Sequence, residues 1–264
     1  MTSSAIKLAA PPINRVPEVS VDFWLIKVMA VTMGETAADY LAVNLGLGLT
    51  VTSLIMTGIL VVALVLQFAQ KRYVPWAYWL AVVLISVVGT LVTDNLVDNF
   101  GVRLETTTIA FSIVLALTFI VWYASEKTLS IHTIFTTKRE IFYWLAILFT
   151  FSLGTAAGDL VAERFDMGYL TAGLIFGGVI AAIVLAYYFL GLNSILAFWL
   201  AYILTRPLGA SFGDLLSQPV EYGGLGFGTT ITSLIFLGCI IALVAYMTFR
   251  RSPDDAEDML FEAD

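Results

Sequence analysis

The sequence predicts an all-α fold, a membrane bundle of eight transmembrane helices arranged as four parallel two-helix repeats. Three observations lead to this prediction. Of the 264 residues, 59% are hydrophobic and only 12% are charged, whereas a soluble domain is about half apolar and about a quarter charged. Eight apolar runs are long enough to cross a bilayer. Four of these runs align with one another without gaps.

Each predicted span has about 20 mostly apolar residues, which is the length that crosses a hydrocarbon core roughly 30 Å thick. The spans cover residues 21–42, 47–69, 75–97, 105–124, 140–162, 168–190, 193–216 and 227–249. Helices are expected because lipid offers no hydrogen-bond partner to the backbone. The ten-residue alternation of a membrane β-barrel is missing from the sequence.

The first, third, fifth and seventh spans form an internal repeat. They read "FWLIKVMAVTMGETAAD", "YWLAVVLISVVGTLVTD", "YWLAILFTFSLGTAAGD" and "FWLAYILTRPLGASFGD". Three of the shared columns are Trp24, Trp79, Trp144 and Trp199; Gly34, Gly89, Gly154 and Gly209; and Asp39, Asp94, Asp159 and Asp214. The repeats therefore cover 21–70, 75–124, 140–190 and 193–249 of one membrane domain, 21–250. An N-terminal segment, 1–20, precedes the domain, and an acidic tail, 251–264, follows it and is expected to be disordered.

Positive charge predicts the orientation of the spans. Ten lysine and arginine residues fall on one side of the predicted bundle, and only Arg103 and Arg164 fall on the other. Because basic loops remain in the cytoplasm, both termini are expected there. The repeated tryptophans, beside the basic flanks, are predicted to anchor the helices at the cytoplasmic interface.

The repeated aspartates are expected at one depth, toward the outer side of the membrane. Each follows its tryptophan by fifteen residues, or about 22 Å of helix. A charged aspartate in the centre of a span costs roughly 2.5–3.5 kcal/mol on insertion scales. The four side chains are therefore expected to face the bundle interior or an aqueous vestibule.

Other charged residues belong to the same region. Glu35, Asp98 and Glu163 each lie one helical turn from a repeated aspartate and on the same helix face. Arg206 is the one plainly internal cation and is expected to act as a countercharge. Lys27, near the cytoplasmic end of the first span, is expected to extend its amine toward the interface.

These seven carboxylates suggest an ion pathway. They cannot all remain ionised, dry and unpaired, so some are protonated or cations or water fill the site. The single Cys and single His leave oxygen ligands only, which suit hard cations such as Mn²⁺, Mg²⁺ or Ca²⁺, and also Na⁺ or H⁺. We therefore predict a secondary transporter of a metal cation or proton, with Asp39, Asp94, Asp159 and Asp214 as candidate metal ligands. We expect no enzymatic activity, no organic cofactor and no nucleic-acid partner.

Two alternatives remain open. In the first, the protein is structural or a scaffold: small residues such as Gly34 and Gly154 let helices pack closely, and each aspartate caps the next helix or pairs with a neighbouring helix. In the second, "AAGD" and "SFGD" are similar to the glycine-aspartate motif of intramembrane aspartyl proteases, which need two acids that share a proton. The three additional acids, Glu35, Asp98 and Glu163, favour the ion pathway, because capping needs only one acid per repeat.

The stretch "PEVSVDFWLIKVMAVTMGETAADYL" and its copies at Gly89, Gly154 and Gly209 resemble a family of bacterial integral membrane proteins. Members are described as uncharacterised "membrane-anchored" proteins and consist of tandem two-helix repeats of unknown function. The resemblance covers about residues 17–250 and implies a multi-pass protein of the bacterial inner membrane. Thr90, Thr155 and Ala210 replace Glu35 in the later copies, so the first repeat is chemically distinct. The oligomeric state, including a homo-oligomer, is left open.

Overall fold

The computed structural model describes residues 13–250, and this stretch of the chain contains eight α-helices. They are α1 (Val21–Asp39), α2 (Leu49–Phe68), α3 (Pro75–Asp94), α4 (Leu104–Glu126), α5 (Thr137–Asp159), α6 (Tyr169–Phe189), α7 (Ser194–Ser217) and α8 (Thr229–Arg250). The all-helical prediction is confirmed for the described residues, and each helix corresponds to one predicted span. The predicted acidic tail, 251–264, lies outside the described residues, as do residues 1–12 of the predicted N-terminal segment.

Local sequence signals explain where several helices begin. The side chains of Ser20, Thr136 and Asn193 accept backbone N–H bonds at the starts of α1, α5 and α7. Such side chains replace the helical partners that the first N–H groups lack. Pro75 opens α3, where its fixed φ and missing N–H cost nothing.

The repeated aspartates mark a change of helix geometry. In the first three repeats the α-helix ends at the aspartate and continues as one π-helical turn, over Tyr40–Asn44, Asn95–Asn99 and Leu160–Arg164. In the fourth repeat α7 passes Asp214 and ends at Ser217, and a short 3₁₀ turn, Val220–Tyr222, follows. Single π turns are rare and often occur at functional sites.

The four odd-numbered helices form a closed inner ring. Their contacts follow the order α1, α3, α5, α7 and back to α1. Each even-numbered helix packs against the odd-numbered helix of the next repeat: α2 on α3, α4 on α5, α6 on α7, and α8 back on α1. The four repeats thus surround one axis. We call its two ends the tryptophan end and the aspartate end, after the repeated residues nearest to each.

The repeated glycines lie at the contacts between neighbouring inner helices. A Cβ atom on each would overlap a residue of the next helix in the ring: Ser86 for Gly34, Phe151 for Gly89, Arg206 for Gly154 and Val31 for Gly209. Each of these contacted residues precedes the next repeated glycine by three positions. The small side chain is therefore needed at the same contact in all four repeats, which gives the ring an approximate fourfold symmetry.

Seven of the eight described helices are long and apolar enough to cross a membrane. The exception is α1, which contains Asp22, Lys27, Glu35 and Asp39; it belongs to the inner ring and packs against α3, α7 and α8. The outer helices α2, α4, α6 and α8 bury only 11–17% of their most apolar stretch inside the protein, while α3 buries 72%. Of the eight predicted spans, seven are therefore long and apolar enough to cross a membrane, and the first falls short of this measure.

The repeated tryptophans do not occupy the positions predicted for interface anchors. Trp79, Trp144 and Trp199 are only 1%, 4% and 4% exposed, and Trp24 is half-buried. Trp199 Nε1 donates to the carbonyl oxygen of Leu129 at 2.8 Å. The expected contact with lipid headgroups is wrong for the three buried indoles, because neighbouring helices cover them, as Phe119 and Trp122 of α4 cover Trp199.

Candidate functional site on the bundle axis

The four repeated aspartates are brought together around the axis. Asp94 interacts electrostatically with Asp39, Asp159 with Asp94, and Asp214 with both Asp159 and Asp39. Every neighbouring pair in the inner ring is therefore within electrostatic range. We call the four side chains the acidic ring.

The acidic ring has few hydrogen-bond partners. Within residues 13–250 its one hydrogen bond is from Gln218 Nε2 to Asp39 Oδ2, at 3.4 Å. No aspartate caps a following helix: α2, α4 and α6 begin after Gly48, Arg103 and Gly168 without a side-chain cap. The capping role considered from the sequence is therefore not the role of these carboxylates.

Accessory acids extend the ring toward the surface. Asp98 and Glu163 are exposed, and both interact electrostatically with Asp39. Glu163 also accepts a hydrogen bond from Tyr169 Oη at 3.4 Å. The aspartate end of the bundle thus carries a cluster of negative side chains that runs from the surface to the axis.

A second group of polar side chains lies immediately inside the acidic ring. Arg206, the predicted internal cation, is fully buried, and its Nη1 lies 2.9 Å from Glu35 Oε2. Its Nη2 donates to Thr155 Oγ1 at 2.8 Å and to Thr90 Oγ1. Thr90 Oγ1 in turn donates to Glu35 Oε2 at 3.2 Å. These four residues, which we call the central network, come from all four inner helices and close the axis.

The position of the central network follows from the repeat. Glu35, Thr90 and Thr155 each follow a repeated glycine by one residue, and Arg206 precedes Gly209 by three. Because the glycines let the inner helices approach, the following side chains reach one another across the axis. The sequence alignment identifies the two threonines only as departures from Glu35; the structure makes them ligands of Arg206.

Glu35 connects the acidic ring to the central network. Besides its ion pair with Arg206, it interacts electrostatically with all four repeated aspartates and with Glu163. Its own side chain is 7% exposed. Glu35 is therefore the carboxylate that lies between the acidic cluster and the positive charge on the axis.

Lys27 is a second buried cation, farther toward the tryptophan end. It is 0% exposed, and its Nζ donates to the Tyr202 carbonyl oxygen at 3.0 Å and to Thr205 Oγ1. The amine also lies 3.9 Å from the centroid of the Tyr202 ring. The expectation that Lys27 extends to the interface is wrong, because partners on α7 hold its amine inside the bundle.

The described residues do not contain a preformed metal cluster. Across 13–250 no three His, Cys, Asp or Glu side chains lie close enough together to hold one metal ion. The metal site predicted for Asp39, Asp94, Asp159 and Asp214 therefore gains no support from a preformed cluster and stays a prediction. The aspartates are near enough to affect one another's charge.

Two apolar grooves lie away from the acidic ring. A groove of about 820 Å³ is bounded by α1, α6, α7 and residues 129–132, and Thr205 contributes to its wall. A second, of about 430 Å³, lies between α3 and α8. No repeated aspartate lines either groove, so the polar axis and the apolar grooves are separate features.

The fold and the site define a membrane-like, all-helical repeat protein with a polar axis. The chain belongs to the family described as Repeat of Unknown Function (DUF347), whose model matches it four times, at residues 23–73, 77–128, 142–192 and 197–252. This confirms the resemblance to a family built from tandem repeats of unknown function. No curated protein and no solved structure matches the chain.

Proposed function

We propose that this protein is a membrane-embedded secondary transporter that moves protons along the polar axis. In this proposal the acidic ring is the entrance and the Glu35–Arg206 ion pair is the gate. The observation that carries the proposal is the position of Glu35, which is paired with Arg206 on one side and interacts with the acidic ring on the other.

The proposed orientation has the tryptophan end in the cytoplasm of a bacterial inner membrane. Seven apolar helices are consistent with a multi-pass protein. Lys71 and Arg72 follow α2, and Lys138 and Arg139 begin α5, all beside the tryptophan end, whereas Arg103 and Arg164 lie beside the aspartate end. Positive residues favour the cytoplasmic side, so the acidic ring would face outward.

A proton suits the axis better than a metal cation. Arg206 and Lys27 are positive groups on the axis and would repel a partly dehydrated metal ion. Carboxylates and hydroxyls can instead pass a proton from group to group without an open pore. The spacing of the acidic ring, which offers no metal cluster within the described residues, also favours the proton.

The gate would open when Glu35 accepts a proton. Neutral Glu35 no longer attracts Arg206, whose guanidinium then has only its threonine partners Thr90 and Thr155. Removing one charge from a buried ion pair is unfavourable by about 3–5 kcal/mol, so a proton at Glu35 would favour a rearranged central network. Protons held by the acidic ring would supply Glu35 from the outer side.

The test is proton flux into liposomes that contain the purified protein and a pH-sensitive dye. An imposed pH gradient, with valinomycin to balance charge, should decay faster than in empty liposomes. Asp159→Asn and Glu35→Gln should slow the decay to the rate of empty liposomes. Asp166→Asn is the matched control, because Asp166 is an exposed acid at the same end of the bundle and should leave the flux unchanged. A wild-type rate equal to that of empty liposomes would contradict the proposal.

A structural role is the second candidate, and the central network favours it. Its four side chains join all four inner helices through one guanidinium, which would stabilise the ring without any transport. This candidate predicts no flux in the wild-type protein and a lower unfolding midpoint in Arg206→Met. The liposome experiment on the wild-type protein therefore separates transport from a purely structural role.

A further inference from the structure

Two buried cations share the axis with one paired carboxylate. Lys27 Nζ lies 5.5 Å from the centroid of the Phe151 ring, and Arg206 Cζ lies 5.4 Å from the same centroid. Glu35 pairs with Arg206, but the ion pairs of residues 13–250 include none to Lys27. When Lys27 and Arg206 are both charged, Glu35 balances only one of them. One positive charge in this part of the bundle therefore has no countercharge.

Several hydrogen-bond donors in the same layer have no partner within the described residues. Arg206 Nε, Tyr202 Oη and Thr150 Oγ1 are buried without a hydrogen bond, and each belongs to a residue with 0% exposure. The Lys27 ammonium has three N–H groups and two acceptors, Tyr202 O and Thr205 Oγ1. A third N–H therefore remains.

These groups belong to neighbouring turns of the inner helices. Thr150 directly precedes Phe151, whose ring contacts both cations, and Thr205 directly precedes Arg206. Tyr202 binds Lys27 through its carbonyl oxygen and its ring. We call Lys27, Thr150, Tyr202 and Arg206 the basic layer. It shares Arg206 with the central network, and its other members precede the repeated glycines by four to seven positions, on the tryptophan side of that network.

We propose that the basic layer binds one small monovalent anion that has no proton to donate, such as chloride. Buried charges need a countercharge or a hydrogen bond, and an anion would provide both. It would accept from Arg206 Nε, from the third N–H of Lys27, and from the two hydroxyls. A water molecule could donate its two hydrogens to the hydroxyl oxygens of Thr150 and Tyr202, but, unlike an anion, it would bring no negative charge to balance the two cations.

The anion would enter from the tryptophan end. The acidic ring and Glu35 occupy the aspartate end and would repel it, and the central network closes the axis between them. The proposed site shares Arg206 with the gate of the proton pathway, but it is entered from the opposite end of the axis. Anion binding to this site is measured without a pH gradient, so a negative result in the flux experiment does not count against the anion site.

The first experiment measures binding of radioactive chloride to the full-length protein in lipid nanodiscs by equilibrium dialysis. We expect saturable binding of about one ion per chain. Chloride should also raise the thermal unfolding midpoint relative to gluconate at equal sodium concentration, because a ligand that binds only the folded state stabilises it. No saturable binding to the wild-type protein would overturn the proposal.

Substitutions in the basic layer test whether its side chains bind the chloride ion. Lys27→Met should abolish saturable binding, and Thr150→Val, which keeps the side-chain shape, should weaken it by roughly tenfold through the loss of one hydrogen bond to a charged group. Lys71→Met is the control, because Lys71 is an exposed base near the tryptophan end, and it should bind as the wild type does. If Lys27→Met does not fold, Tyr202→Phe and Thr150→Val decide the matter: unchanged affinity in both would overturn the proposal.

Discussion

Carboxylates at the two ends of the bundle differ in burial and in how completely they are bonded. At the tryptophan end, Glu140 is 0% exposed and accepts from Arg15 Nη1 at 2.8 Å, Gln67 Nε2 at 3.0 Å and Trp144 Nε1 at 3.4 Å. At the aspartate end, the whole acidic ring has a single hydrogen bond of 3.4 Å within the described residues. Both ends contain carboxylates within an apolar bundle, but only Glu140, at the tryptophan end, has several hydrogen-bond partners.

The partners of Glu140 explain its role. Arg15 belongs to the segment before α1, which also bonds through its backbone N–H to Ile134 O, and Gln67 belongs to α2. Glu140 therefore joins the N-terminal segment, the first repeat and the start of α5. A fully bonded buried acid can stabilise a fold, whereas the acidic ring has almost no hydrogen bonds within the described residues that would do so. This difference supports the pathway proposed above.

The largest expected effect is at Glu140. Glu140→Ala leaves Arg15 and Gln67 without their shared acceptor, and we expect the free energy of unfolding to fall by about 3–5 kcal/mol. Denaturant unfolding in detergent micelles measures the change. Glu126→Ala is the control, since Glu126 makes two ion pairs, with Lys138 and Arg139, on the more exposed surface, and such pairs contribute about 1 kcal/mol or less each. Equal losses in the two variants would remove the basis of the comparison.

The next effect is the coupling between Glu35 and Arg206. Each single variant, Glu35→Gln or Arg206→Met, leaves a buried partner unpaired, whereas the double variant removes both charges. We therefore expect the double variant to be more stable than the sum of the single losses predicts, with a coupling energy of about 2–3 kcal/mol. Additive losses would mean that the 2.9 Å ion pair contributes nothing to the bundle.

A matched pair of glycines tests the packing of the inner ring. An added Cβ at Gly89 would lie 2.8 Å from Phe151 Cβ, whereas one at Gly58, in α2, would meet nothing within 4 Å. Gly89→Ala should lower the free energy of unfolding by about 1–3 kcal/mol through overpacking. Gly58→Ala should raise it by up to about 1 kcal/mol, because alanine favours the helix. A stabilising Gly89→Ala would contradict the close contact between α3 and α5.

The smallest expected effect is in the acidic ring itself. Asp94→Asn keeps the shape of the side chain and breaks no hydrogen bond of the described structure, so the free energy of unfolding should change by less than about 0.5 kcal/mol. Any change should be toward a higher free energy of unfolding, because the substitution removes repulsion from Asp39 and Asp98. A loss comparable to that of Glu140→Ala would mean that the ring is structural after all.

The sequence was sufficient to predict most of the fold. Apolar runs located all eight helices, and the alignment identified the glycines and aspartates that recur in each repeat. The order of packing was not predictable in this way. The geometry of the turns between helices determines that α2 packs on α3 and that α8 returns to α1. Periodicity within a helix gives its buried face but not the helix that covers it.

The site was predictable only where the repeat carried a signal. The aspartates and Arg206 were identified because they were charged residues in apolar columns. The position of Lys27 was wrongly predicted because a long side chain near a helix end usually reaches the interface. Its partner Tyr202 belongs to another repeat, 175 residues away in sequence, so no local pattern could identify it. Glu140 has no acidic counterpart in the other repeats, so no column marked it.

The central claim is that the four repeated aspartates surround one axis at one level. Spin labels at pairs of these positions, in a protein whose single Cys239 has been replaced by serine, give all six distances directly by pulsed electron paramagnetic resonance. The account predicts four similar short distances between neighbours in the order 39, 94, 159 and 214, and two longer, similar distances across the ring. Six unrelated distances, or a diagonal pair closer than its neighbours, would contradict it.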